Sequence, residues 1–145
     1  MSTRTLIACI CYALFFLFVY VALNKLISFN YYLYDLRRSP VLQTVALPVA
    51  VVVPVMEILV ACLLIPDKTR SYGLAGAVLL MAMFTVYVLY VIVFTKEHPC
   101  TCGGIIRELT WPQHLVFNVA FLTLALFAFI MKNNKLISYS AATVP

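Results

Sequence analysis

Charged side chains are what this sequence most conspicuously lacks: only 10% of its 145 residues carry charge, against roughly 25% in an ordinary soluble domain. With 65% of the residues hydrophobic, so small a polar complement excludes a water-soluble globule. Long loops are missing too. The stretches between apolar runs are too short to hold a second domain, so 1–145 reads as a single transmembrane domain. Nor is there a basic patch. The formal charge of +5 is scattered over helix ends, which argues against nucleic acid as a partner and for anionic lipid headgroups.

What is present is four apolar runs, at 6–23, 41–66, 72–94 and 112–131. A bilayer core of about 30 Å asks for about 20 apolar residues in a helix rising about 1.5 Å per residue, and each run is close to that length. The fold expected is therefore an all-α membrane protein, a four-transmembrane-helix bundle. The first run follows Arg4 closely and could be mistaken for a removable leader. It is longer than the usual leader core and no small-residue cleavage site follows it, while the lipoprotein-like Leu6-Ile7-Ala8-Cys9 stands before the apolar run instead of after it. The run reads as a retained helix.

Between the first two runs, Phe29-Asn30-Tyr31-Tyr32-Leu33-Tyr34-Asp35-Leu36-Arg37-Arg38 mixes aromatics with charges, as a segment at the membrane–water interface does. Pro48 and Pro54 predict a kink in the second span, because proline removes a backbone donor and crowds the preceding turn. Gly73 and Gly76 predict close helix contact in the third. Thr110-Trp111-Pro112-Gln113 has the spacing of a capping box at the start of the fourth, with Trp111 as an interfacial anchor. Four crossings put both termini on one side and the first and third loops on the other. The charges do not orient the bundle, for Arg4, Lys68, Arg70, Lys132 and Lys135 stand against Lys25, Arg37, Arg38, Lys96 and Arg107.

Polar residues within spans are costly and need a reason. Glu57 is such a carboxylate, expected to be protonated, paired or facing a polar cavity. Depth counting at about 1.5 Å per residue puts Tyr12 at a similar level and makes it the candidate partner. Glu57 then either pins the second span to the first or handles protons. Asn118 lies one turn after His114, where it either bonds a neighbouring helix or takes part in function.

Reactive side chains concentrate in the loop 95–111, where His98, Cys100, Cys102 and Arg107 lie with Gly103 and Gly104. A histidine or arginine beside a cysteine favours thiolate, the form that attacks disulfides and binds metal, and two glycines let a partner approach the sulfurs. A disulfide within Cys-x-Cys is tight, hence easily reduced. The alternatives are a free or merely stapling pair, or a metal site built from His98, Cys100, Cys102 and His114, whose spacing matches none of the usual zinc-finger patterns. Cys9, Cys11 and Cys62 lie near the opposite face and read as small hydrophobes.

The four-span layout, the segment from Asn24-Lys25 to Ser39-Pro40, Pro54-x-x-Glu57, and His98-Pro99-Cys100-Thr101-Cys102-Gly103-Gly104 followed by Trp111 and His114 together resemble the MauE branch of the DoxX-like membrane proteins. The resemblance implies a bacterial inner-membrane protein that assists the maturation of disulfide-containing periplasmic proteins beside a thioredoxin-like or membrane partner. It favours cytoplasmic termini and a periplasmic cysteine loop. The expected function is thiol-disulfide exchange, with Cys100 attacking, His98 favouring its thiolate and Cys102 resolving. The competing expectations are a non-catalytic subunit of a larger membrane complex and a metal-handling protein. The sequence assigns no cofactor and leaves a membrane quinone open.

Overall fold

The computed structural model describes residues 2–39, 41–94 and 110–142. Among these residues are five α-helices, α1 (Thr3–Ile27), α2 (Phe29–Arg38), α3 (Ala46–Leu64), α4 (Arg70–Phe94) and α5 (Trp111–Ala142), with a 3-10 turn at Gln43–Val45 before α3. Four are long and apolar enough to span a bilayer: Thr3–Ile27, Gln43–Leu64, Arg70–Phe94 and Pro112–Asn134. The four-span bundle expected from the apolar runs is the fold. Large apolar side chains such as Phe16, Leu79, Val86 and Val116 point outwards and are well exposed, an arrangement stable only where lipid replaces water. The helices outrun the apolar runs at several ends. Backbone hydrogen bonding continues into the interfacial layer, so α1 reaches Ile27 and α5 continues past Lys132, Asn133 and Asn134.

The helix ends show why the chain turns where it does. Ser2 caps α1, its hydroxyl accepting from the Thr5 N–H at 3.2 Å. At the α3–α4 turn, Thr69 donates to the Leu63 carbonyl at 3.0 Å, and Arg70 donates to those of Leu64 at 3.2 Å and Ile65 at 2.9 Å while also bonding Asp67. These side chains satisfy carbonyls that the end of α3 leaves without helical partners. At α5, Gln113 reaches back to accept from the Thr110 N–H at 2.8 Å, as the capping-box spacing predicts.

Packing follows from small residues in α3 and α4. A Cβ on Gly73 would lie 2.7 Å from the Leu63 carbonyl carbon and 2.7 Å from the Leu64 nitrogen, so the backbones touch there. At Gly76 the obstruction is Val60 Cγ2 at 2.8 Å, a side-chain atom that can shift. Gly73→Ala should therefore cost about 1–3 kcal/mol, and Gly76→Ala less, in unfolding titrations in mixed micelles. Equal losses at both sites would refute this account of the α3–α4 contact.

The two prolines of α3 occupy different positions in the helix. Pro48 falls in the first turn of α3, where a missing N–H goes unnoticed, and Pro54 lies buried in the interior of the helix, which runs from Ala46 to Leu64. The interfacial segment is a helix, α2, whose Tyr32 and Leu36, spaced by one turn, are buried against Ala46 and Ala50 of α3. The main core lies between α1, α3, α4 and α5, with Leu14, Phe18, Leu64, Leu74 and Met81 fully enclosed.

Candidate functional site

Lys25 stands in the last turn of α1, where a lysine ordinarily extends to the headgroups. Here it turns the other way. The Cα–Cβ bonds of a helix lean toward its N-terminus, so the four-carbon stem descends along α1 into the bundle. Lys25 is 4% exposed, and its ammonium donates to Oε1 of Glu57, which is fully buried near the middle of α3. The ammonium also lies 4.9 Å from the ring centroid of Phe84 and 5.7 Å from that of Tyr32, both within reach of a cation–π attraction. Three helices thus contribute to holding one cation. Either charge alone at this depth would be costly to desolvate; together they are neutral. The second carboxylate oxygen, Oε2, is buried and has no hydrogen-bond partner among the described residues.

Beside the pair is a partly open cavity of about 250 Å³. Its walls come from all five helices and are overwhelmingly apolar, with Lys25, Glu57 and Asn118 as charged or amide-bearing members. Glu57, Phe18 and Met81 line its deep part; Leu36 of α2, Tyr87 near the end of α4 and Phe117 near the start of α5 line the other. Tyr87 and Phe117 lie toward the end of the bundle at which α4 finishes and α5 begins. Tyr87 is fixed by donating its hydroxyl proton to Ser39 at 3.0 Å, and Ser39 is itself fully buried.

The residues singled out by sequence separate in space. Glu57 is at the centre, but its partner is Lys25 and not Tyr12, which is 49% exposed and turned outwards. Matching depths along two helices does not fix which way each side chain points, and the reach of a lysine side chain is invisible to such counting. Asn118 lines the cavity, and His114, one turn before it, is buried. His98, Cys100, Cys102 and Arg107 lie outside the described residues. Cys9 and Cys62 are exposed and Cys11 buried, all three as free thiols. Among the described residues no three histidine, cysteine or acidic side chains gather as a metal site. Sequence reasoning missed Lys25, Phe84 and Tyr87. The available signal was a lysine within one turn of a helix end whose side chain had a buried carboxylate to reach.

Four apolar spans, an ion pair joining the first to the second, and a cavity of mixed character at hydrocarbon depth define a small multi-pass membrane protein whose polar chemistry is enclosed between its helices. Residues 3–131 match the family described as methylamine utilisation protein MauE, and the chain belongs to that family. No curated protein and no solved structure matches it.

Proposed function

We propose that this chain is an inner-membrane accessory protein for thiol-disulfide exchange, serving the maturation of disulfide-containing periplasmic proteins within methylamine utilisation. The observation that carries the reading is the Cys100-Thr101-Cys102-Gly103-Gly104 motif, placed in the α4–α5 connection of a MauE-family bundle. Its cysteines are the one closely spaced pair outside the apolar spans, and His98 and Arg107 favour the reactive thiolate. Termini in the cytoplasm and the cysteine connection in the periplasm put the pair where disulfides persist. The partner is a thioredoxin-like protein or another membrane protein that presents a thiol or disulfide to Cys100.

Alkylation in intact cells tests location and chemistry together. A membrane-impermeant maleimide should modify Cys100 and Cys102 without permeabilisation, and the labelled fraction should rise after mild reduction as a disulfide population opens. Labelling that requires access from the cytoplasm would overturn the topology. A fraction indifferent to both reductant and oxidant would favour the non-catalytic subunit.

A further inference from the structure

The cavity beside Lys25 and Glu57 is not used by thiol exchange as such, yet it has the characteristics of a ligand site. Glu57 is wholly buried, lines the cavity, and keeps one carboxylate oxygen without a donor among the described residues. A buried carboxylate oxygen left in that state is unfavourable, so a donor supplied by a ligand would be favoured there. Lys25 has three N–H groups and directs one to Oε1, which leaves the ammonium able to donate elsewhere.

These features restrict the ligand's charge. A cation would meet Lys25, which already neutralises Glu57 and lies against the rings of Phe84 and Tyr32. An anion would meet the carboxylate. A neutral molecule carrying both an acceptor and a donor suits the pair, and the apolar walls require it to be lipid-soluble. Size restricts it further. An apolar cavity of about 150 Å³ already admits benzene, so about 250 Å³ takes one substituted six-membered ring and not a phospholipid. Tyr87, Phe84 and Phe117 supply aromatic surface for such a ring.

We infer that this cavity binds the head group of a membrane quinone, with Lys25 donating to a carbonyl of the oxidised form and Glu57 Oε2 accepting from a hydroxyl of the reduced form. The inference rests on the thiol-exchange reading for one further step. Oxidation of the Cys100/Cys102 dithiol breaks two S–H bonds and forms one S–S bond. The two electrons and two protons released convert one quinone to its quinol, the two carbonyl oxygens becoming hydroxyls. The cavity lining includes Tyr87 and Val88 toward the C-terminal end of α4 and Phe117 and Asn118 toward the N-terminal end of α5, the two helices that the cysteine segment joins. The chain would then form disulfides and pass the electrons to the lipid-soluble pool.

The test uses the purified full-length chain in lipid nanodiscs with decylubiquinone as probe. Binding should be saturable at one quinone per chain. Val53→Phe, which fills the cavity one turn from Glu57, should weaken it at least tenfold without lowering the melting midpoint. Glu57→Gln should weaken decylubiquinol more than decylubiquinone, which mere loss of packing would not do. Val86→Phe, on the lipid-facing side of α4, should leave binding unchanged. Non-saturable partition, or equal binding by wild type and Val53→Phe, overturns the site. The dithiol-reduced chain should yield one quinol per chain, and the Cys100→Ser/Cys102→Ser variant should bind quinone and yield none. Saturable binding with no quinol from the reduced wild type would retain the site and defeat the thiol step. A captured thiol partner with no quinone binding would do the reverse.

Discussion

Lys25→Met should destabilise the protein by about 3–5 kcal/mol, because it leaves the fully buried Glu57 carboxylate near the middle of a span without its cation. Glu57→Leu should cost less, about 1–2 kcal/mol. Lys25 is two residues from the end of α1, and once released its long side chain can swing out to the headgroups. Each charge has a different way of relieving its loss, so the two halves of one ion pair should give unequal effects. The double variant, with two apolar side chains of similar bulk, should recover most of the loss, since a buried pair is worth little beyond the cost of desolvating it. The measurement is a double-mutant cycle by unfolding titration in mixed micelles, with a coupling above about 1 kcal/mol expected between the two positions. Single variants within about 0.5 kcal/mol of wild type would show that the pair does not hold α1 to α3.

That asymmetry also shows which parts of the structure are readable from the chain. The four spans follow from a single variable, hydropathy summed over a length the bilayer fixes, and no tertiary contact is needed to see them. Gly73 and Gly76 were legible as close-approach positions because a missing side chain means the same thing in any lipid-embedded helix. Glu57 stood out because carboxylates at this depth are expensive. Its partner was not legible, since pairing depends on how α1 and α3 are rotated about their axes, and rotation follows from the packing of Leu14, Phe18, Val60 and Ala61 together. Lys25 was also disguised by its position, being counted among the charges weighed for the orientation of the bundle. The cavity is a property of five helices jointly. Leu36 and Tyr87 are far apart in sequence, and nothing local in either marks them as facing one space. The helical form of the 29–38 segment was likewise hidden by its three tyrosines and two arginines, a composition that indicates the interface without specifying the backbone.

Cys102→Ser should convert the protein into a trap. If Cys100 attacks a partner's disulfide, one S–S bond breaks as a mixed disulfide forms, and the partner's other sulfur departs as thiolate. Cys102 then attacks the mixed disulfide and releases the partner reduced, leaving Cys100–Cys102 oxidised. With serine at position 102 the second step has no nucleophile, so the mixed species should accumulate to at least several times its wild-type level on non-reducing gels and vanish on reduction. Cys100→Ser removes the attacking sulfur and should abolish that adduct. His98→Ala should slow its formation, to the extent that histidine raises the thiolate fraction near neutral pH. In the opposite direction, the one that electron transfer to quinone requires, a partner thiolate attacks the Cys100–Cys102 disulfide of the wild-type chain, displaces one cysteine as thiolate and gives a mixed disulfide, which the partner's second thiol resolves as the partner leaves oxidised; the redox state of the partner released by the wild-type chain tells the directions apart. Two results together would defeat the exchange reading: no adduct from either single variant, and normal maturation of disulfide-containing client proteins in cells carrying both serines. The MauE-family bundle would then act by holding a larger assembly, and its lipid-facing surface, not its cysteines, would carry the function.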